Sequence, residues 1–201
     1  MSEGGEPVRS VLKRLTGPPV SVVVPKYYFG GPFYPKDGQP GSDGTMLLYM
    51  HRENPLPYRT FDMRGKLARN IQDWMDVLLV DYISLDRVAE ASLSITRATR
   101  KGERLNTPLD QYGLRKFEIP EELNDGRIDL FFAGDINNKT DVIHCGRVGP
   151  YGAVNPQCEQ TTMLQGIKLS FTYSRRYLSE WKSMKDNVAL LIHCIVQEKD
   201  I

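Results

Sequence analysis

The sequence predicts an α+β fold: a mainly antiparallel sheet with two or three helices, preceded by a flexible N-terminal arm. Gly and Pro recur up to Asp43, and such density disfavours both helices and central strands. Beyond that point several segments alternate apolar and polar residues, as strands do, and two others place apolar residues at helical spacing. Strands that do not alternate regularly with helices favour an antiparallel sheet. We therefore divide the chain into an arm, residues 1–43, and a globular domain, residues 44–201.

The composition is that of an ordinary globular protein. Of the 201 residues, 40% are hydrophobic and 25% are charged, and the net charge of +1 argues against a dedicated nucleic-acid binder. No run of about 18 apolar residues predicts a membrane span. The segment from Ser2 to Glu6 lacks the apolar core of a signal peptide. With three cysteines, an odd number, we expect reduced thiols and a cytosolic location.

One piece of the arm has the pattern of a short amphipathic helix. Its apolar residues recur at positions i, i+3, i+4 and i+7, and its basic residues take the other face. Such a segment can lie in an anionic membrane surface, while the alternative is a disordered tail with accidental spacing. The predicted membrane-binding residues are Val8, Arg9, Val11, Leu12, Lys13, Arg14 and Leu15.

The arm also contains a cluster of aromatic residues, although disordered linkers are usually poor in them. We expect the cluster to dock, either on its own domain or on a neighbouring copy. Docking on a neighbour would be a head-to-tail contact that need not close, and so would build a lattice. The predicted self-association residues are Tyr27, Tyr28, Phe29, Phe33 and Tyr34.

The first half of the domain is predicted to be strand, helix, strand. The segment from Thr45 to Arg52 alternates and predicts a strand. A helix is expected to begin after Asp62, a suitable N-cap, and to end between Val77 and Tyr82. Alternation from Ala91 to Thr96 predicts the next strand. The apolar face of the predicted helix consists of Met63, Leu67, Ala68, Ile71, Trp74, Met75 and Leu78.

The second half is predicted to be mostly strands. Candidate strands run from Arg127 to Ala133, from Val142 to Val148 and from Leu164 to Tyr173. A short helix follows from Ser174 to Lys185, and a closing apolar strand runs from Val188 to Gln197. The side chains of this helix that should face inward are Leu178, Trp181 and Met184.

The dipeptides His144-Cys145 and His193-Cys194, with Cys158 between them, are the candidate metal ligands. Zinc prefers four nitrogen or sulfur ligands in a tetrahedron. Neighbouring residues of a strand point to opposite faces, so one dipeptide cannot supply two ligands to one ion. The same geometry argues against a Cys/His nucleophile, and no Gly-rich phosphate loop occurs. We expect Cys145, Cys158 and Cys194 to be structural thiols, and we expect no metal, no cofactor and no enzymatic activity.

Two groups of basic residues are candidates for contact with phosphates of lipid or RNA. Aromatic stacking partners are sparse beside them, which disfavours sequence-specific binding of single-stranded RNA. The alternative for each group is an ordinary solvated face. The denser group is Arg97, Arg100, Lys101 and Arg104, and the other is Arg175, Arg176, Lys182 and Lys185.

Scattered identities from Gly44 to Lys199 resemble the matrix proteins of rhabdoviruses. They lie between Tyr49 and Phe61, between Met163 and Tyr173, at Trp181, and between Val188 and Lys199. The order that carries the resemblance is a strand, a helix with a Trp, a Gly-led strand, a short Trp helix and a final apolar strand. The resemblance implies a viral matrix structural protein that binds the inner leaflet of the membrane, self-associates, condenses the ribonucleoprotein and supports virion assembly and budding.

The implied partners are further copies of the chain, anionic membrane lipid, the viral ribonucleoprotein and host budding machinery. The implied location is the virion beneath the envelope, with host cytoplasm and the inner face of host membranes. The arm has no Pro-Pro-x-Tyr budding motif, and Tyr82-Ile83-Ser84-Leu85 is a Tyr-x-x-Leu that we expect to be buried. The alternatives are an RNA- or nucleocapsid-binding adaptor without membrane activity and, less favoured, a zinc- or thiol-dependent enzyme.

Overall fold

A computed structural model describes residues 7–29, 44–53, 55, 71–96, 109, 111–117, 119, 128–135, 138–147 and 154–196. The strands are β1 (Val8–Leu12), β2 (Val20–Val24), β3 (Met46–His51), β4 (Trp74–Leu79), β5 (Arg115–Phe117), β6 (Ile128–Asp135), β7 (Asn138–Gly146), β8 (Gln157–Leu164) and β9 (Ile167–Ser174). The α-helices are α1 (Leu85–Thr96) and α2 (Trp181–Ile195), and short 3-10 helices cover Lys26–Tyr28, Ile71–Asp73 and Arg175–Glu180.

The main sheet has seven antiparallel strands in the order β3-β4-β9-β8-β7-β6-β5, and β1 and β2 form a separate hairpin. The β8–β9 hairpin turns through Gln165 and Gly166, both at positive φ (49° and 70°). Two such residues in a row fit the right-handed twist of adjacent strands, so this turn fixes the register of the two central strands. Gly134, at φ 84°, lies at the bulge between β6 and β7.

The core lies mainly between one face of the sheet and a layer made of α2 and the β1–β2 hairpin. Alternate residues of β3, β4 and β9 point into it and are essentially inaccessible to water. On the opposite face, α1 covers β5, β6 and β7 through a smaller apolar cluster. This second cluster contains Leu85, Ala89, Phe117, Ile119, Leu130, Phe132 and Val142.

The predicted α+β class with a mainly antiparallel sheet is confirmed, and the described residues contain two α-helices. The predicted strand at Thr45 to Arg52 is β3, and the candidates that begin at Arg127, Val142 and Leu164 correspond to β6, β7 and β9 within a few residues. The predicted burial of Leu178, Trp181 and Met184 is also confirmed.

Three interpretations of local periodicity are wrong. Trp74–Leu79 is a strand rather than the end of a helix, because Met75, Val77 and Leu79 alternate into the core. The alternation seen from Ala91 to Thr96 is the second half of α1, which begins upstream where the Arg87 backbone N–H donates to Ser84 Oγ at 3.3 Å. The apolar run that starts at Val188 continues α2 instead of forming a closing strand. The beginning of the first predicted helix, residues 63–70, lies outside the described residues.

The described part of the predicted arm belongs to the folded unit. Val8, Leu12, Val22 and Val24 are each at most 3% exposed and pack in the main core. The helical interpretation of Val8 to Leu15 is therefore wrong for β1, where the residues pair with β2 in register. Residues 1–6 and 30–43 lie outside the described residues.

Candidate protein-binding surface

The buried cysteines form a disulfide, which corrects the expectation of three thiols. Cys145 on β7 and Cys158 on β8 are register partners, both fully buried, and their sulfur atoms are bonded. Cys194, on α2, is free and exposed. His144, next to Cys145, lies on the opposite face of the sheet, and burial lowers its pKa against the opposing influence of Glu159. The described residues contain no group of three or more His, Cys, Asp or Glu side chains that could hold a metal ion.

The predicted membrane-binding residues are divided between the core and a surface turn. Val8 and Leu12 are buried in the core, so they are not available to a bilayer in this fold. Arg9 is exposed and Val11 is half-buried on β1, while Lys13, Arg14 and Leu15 follow the strand. Arg14 Nε donates to the carbonyl oxygen of Gly166 at 3.1 Å, which ties this turn to the β8–β9 turn. No helix in the described part of the chain is long and apolar enough to cross a membrane.

Three of the five aromatic residues predicted to self-associate are described, and they pack on their own domain. Phe29 is 6% exposed, and Tyr27 and Tyr28 are half-buried. The Tyr28 hydroxyl donates to the Pro55 carbonyl oxygen at 2.5 Å. Burial, with smaller contributions from Tyr27 and Cys194, raises the pKa of Tyr28 to about 12. Phe33 and Tyr34 lie outside the described residues, as does the basic group Arg97, Arg100, Lys101 and Arg104.

Four large apolar side chains are exposed where several turns meet at one end of the sheet. Leu15 is 48% exposed, Tyr82 42%, Ile83 49% and Met163 42%. They come from the turn after β1, from the β4–α1 connection and from the end of β8. A Cβ at Gly44 would lie 2.7 Å from the Tyr82 hydroxyl and 3.3 Å from Lys13 Cδ, so Tyr82 is beside the β1 turn. We call the surface formed by these four apolar residues the loop-end surface.

A cavity of about 300 Å³ opens within the loop-end surface. Its wall combines apolar side chains with two carboxylates from the start of α1 and the segment before it. One of them, Asp81, is 5% exposed and accepts a hydrogen bond from the backbone N–H of Leu15 at 3.2 Å. The residues of this wall that matter most are Leu15, Leu85, Met163, Asp81, Asp86 and Lys139.

The loop-end surface has the composition of a binding site for another protein. Scattered single apolar residues are normal on a protein surface, but here two of them, Leu15 and Met163, line one cavity, and Tyr82 and Ile83 lie on the segment between two more of its lining residues, Asp81 and Ser84. Interfaces usually concentrate their binding energy where an anchoring side chain enters a pocket that is ringed by apolar contacts. The cavity is large enough for one such side chain, and Asp81 and Asp86 can accept hydrogen bonds from it.

A buried lysine lies on the neighbouring strand. Lys168 on β9 is 5% exposed and pairs in register with Met163. Among the described residues none forms a hydrogen bond or an ion pair with Lys168 Nζ. Burial lowers the pKa of the Lys168 ammonium, while Asp81 and Glu159 act in the opposite direction. A charged group in this position costs folding free energy to the extent that it loses hydration which the more distant charges of Asp81 and Glu159 offset only in part.

A second polar cluster braces the other end of the sheet and is structural. Arg52 Nη1 donates to Glu180 Oε2 at 2.6 Å, and Arg52 Nε lies 3.4 Å from Asp73 Oδ1. The Arg52 guanidinium also lies 3.9 Å from the centre of the Tyr177 ring. Asn187 donates to the Arg52 carbonyl oxygen at 2.8 Å. These contacts join the end of β3 to the start of α2, and the Arg52 side chain is only 14% exposed.

The sequence signals for the loop-end surface were weak. Leu15 was assigned to a membrane helix, and the expected burial of Tyr82 and Ile83 is wrong because the β4–α1 connection passes over the end of the sheet. Met163 lies near the end of β8, a strand that was not predicted from the sequence.

No family model and no curated protein matches the chain. Solved structures share its fold. The structure of Smlt3025, an immunity protein of the Stenotrophomonas maltophilia type IV secretion system, has a TM-score of 0.63 and 17% sequence identity. That alignment covers 98% of this chain and 100% of the other. The Neisseria meningitidis iron-regulated outer membrane lipoprotein FrpD has a TM-score of 0.54 and 12% identity, over 98% and 96% of the two chains. At these identities the similarity establishes the fold alone.

Proposed function

We propose that this protein neutralises a toxin by binding it through the loop-end surface. The observation that carries the proposal is a cavity lined by the exposed Leu15 and Met163, with the exposed Tyr82 and Ile83 on the segment between its lining residues Asp81 and Ser84. The class of partner is suggested by the immunity protein, whose whole length shares this fold. Neutralisation of this kind needs no catalysis by the chain, because it is sufficient to block or distort the active site of the toxin.

The binding geometry would follow the usual anatomy of a protein interface. A side chain of the toxin would enter the cavity between Leu15, Leu85 and Met163, and its polar end would meet Asp81 or Asp86. The exposed Tyr82 and Ile83 would exclude water around this contact. A stable complex commonly buries about 800 Å² on each partner, so the surrounding turns would take part as well.

The disulfide supports a location in an oxidising compartment. Cys145 and Cys158 are bonded, and such bonds persist in secreted, periplasmic or extracellular proteins but are rare in the cytosol. We therefore propose an extracytoplasmic location in place of the cytosolic one that three thiols suggested. A toxin delivered by another cell would be met in that compartment.

The viral matrix function stays a prediction that no observation tests. The element order behind it differs from the structure: Trp74 lies on a strand, and the final apolar segment is the helix α2. Self-association and binding to lipid or ribonucleoprotein likewise stay predictions. Flotation with anionic liposomes in low and high salt distinguishes the two functions. A matrix protein should float with the liposomes in low salt, whereas binding to a toxin requires no affinity for lipid.

The proposal is tested by placing a photo-crosslinking amino acid at Ile83 in cells that naturally make the protein. We expect one dominant adduct with a secreted protein. The same amino acid at Lys182, which is exposed on the first turn of α2, should not give this adduct. The captured protein, expressed alone, should stop growth, and coexpression of the chain should restore it. An adduct equally strong from Lys182, or a captured protein that is harmless, would count against the proposal.

A further inference from the structure

A buried carboxylate at the end of the sheet opposite the loop-end surface is surrounded by three cations. The Asp129 side chain on β6 is 3% exposed. Arg147 Nε donates to Asp129 Oδ1 at 2.8 Å, and Arg175 Nη2 donates to Oδ2 at 2.5 Å. Lys116 Nζ lies 3.4 Å from Oδ1. We call Lys116, Arg147 and Arg175 the cationic cluster.

The cationic cluster carries more positive charge than its carboxylate can neutralise. Three cations against one carboxylate leave a surplus of two positive charges, and no other described carboxylate pairs with these side chains. Burial acts to raise the pKa of Asp129, but the hydrogen bonds from Arg175 and Arg147 outweigh it and hold the pKa below its ordinary value. Asp129 is therefore ionised at neutral pH, and the described side chains of the cluster keep a surplus of two positive charges.

Bracing the fold does not require all three cations. Arg175 alone joins the elements, since its Nη1 donates to the Gly146 carbonyl oxygen at 2.7 Å while its Nη2 binds Asp129. Arg147 and Lys116 add like charges, which repel one another at this separation. A surplus of that kind costs stability unless an anion offsets it.

The cluster is also held ready for an anion. A guanidinium has five N–H donors, and Asp129 and Gly146 occupy part of each set. The side chains of Lys116, Arg147 and Arg175 are 39%, 29% and 25% exposed, so other donors can reach solvent. Side chains already fixed in place lose less conformational entropy when a ligand binds.

We propose that the cationic cluster binds an acidic segment of a partner protein, with one carboxylate of that segment bridging Arg147 and Arg175. The exposed apolar Val154, 92% accessible and two residues before Pro156, lies in the segment that leads to the cluster and suits a protein partner. Nucleic acid is disfavoured, because the net charge is +1 and aromatic stacking partners are sparse.

This surface is separate from the loop-end surface. Asp129 and Asp135 mark the two ends of β6, and six residues of a strand span about 20 Å. The proposal for the cationic cluster therefore does not depend on the toxin-binding function. Loss of peptide binding at the cationic cluster and loss of crosslinking at Ile83 would be independent results.

The test is fluorescence polarisation with a fluorescein-labelled hexaglutamate peptide in low salt. The wild-type chain is compared with the double variant Lys116→Gln, Arg147→Gln, which keeps Arg175 and its brace. The control Arg87→Gln, Lys182→Gln removes the same two charges at exposed positions elsewhere. We expect at least tenfold weaker binding in the double variant and a change of less than twofold in the control. The single variant Lys116→Gln, which leaves both arginines in place, should weaken binding about threefold and guards against misfolding.

Three results would overturn the proposal. The first is that the wild-type chain does not bind the hexaglutamate peptide. The second is that binding weakens equally in the control and in the double variant, which would show that binding depends only on the net charge of the protein. The third is tighter binding of a labelled hexathymidylate to the same cluster, which would make it a phosphate site.

Discussion

Reducing the Cys145–Cys158 disulfide should lower the stability of the protein by about 3 kcal/mol. The two cysteines are 13 residues apart, so the bond closes a ring of about 14 residues in the unfolded chain. The loop-closure estimate for such a ring is about 3 kcal/mol at 25 °C. For a domain of this size, each kcal/mol shifts the melting temperature by about 2–4 °C, so we expect a fall of about 6–12 °C.

The assay is thermal and urea unfolding with and without a phosphine reductant, combined with alkylation of the unfolded chain. Without reductant, one cysteine, Cys194, should be alkylated, and with reductant all three should be. The double variant Cys145→Ala, Cys158→Ala should behave like the reduced protein, and Cys194→Ser should match the oxidised wild type. Alkylation of three cysteines without reductant would refute the reasoning, and so would an unchanged melting temperature after verified reduction.

Three further predictions concern stability. Leu12→Asp should cost about 3–5 kcal/mol in urea unfolding, because Leu12 is 3% exposed, whereas Leu15→Asp should cost less than about 0.5 kcal/mol; similar costs would contradict the β1 strand. Lys168→Met should raise the free energy of unfolding at pH 7 by about 1–3 kcal/mol, and Lys182→Met should not. Because the pKa of Lys168 is lower in the folded than in the unfolded protein, wild-type stability rises as pH increases from the folded pKa to the unfolded value of about 10.4. The gain from Lys168→Met should therefore shrink over that interval and stay smallest above it; a gain that is constant with pH would contradict this origin. Arg52→Lys should cost about 1–3 kcal/mol, because an ammonium cannot keep both carboxylates and the ring contact, and an unchanged melting temperature would show that the brace is dispensable.

Periodicity predicted those elements whose two faces differ in polarity or that carry clear boundaries. β3 is a good example, since Met46, Leu48 and Met50 are buried and the residues between them are not. β4 was missed because five of the six residues in Trp74–Leu79 are apolar, so strand and helix spacing fit equally well. Tertiary contact decides such cases: β4 lies between β3 and β9 and is hydrogen-bonded to both.

The candidate site was beyond local sequence signals. Leu15, Ile83 and Met163 are separated by 68 and 80 residues, and only the order of the strands brings their turns together. The disulfide depends on the same information, since Cys145 and Cys158 meet through the β7–β8 register. The odd number of cysteines suggested that none was paired, but two of the three form the disulfide and the third, Cys194, is free on the surface of α2.

The most direct test of the toxin-binding function is growth rescue by loop-end variants. A bacterial test strain would express the protein captured at Ile83, exported together with either the wild-type chain or the variant Leu15→Asp, Ile83→Asp. Both positions are about half-exposed, so the variant should fold and melt like the wild type. We predict that the wild type restores growth and that the equally abundant variant does not. Equal rescue by the two chains would contradict binding through this surface.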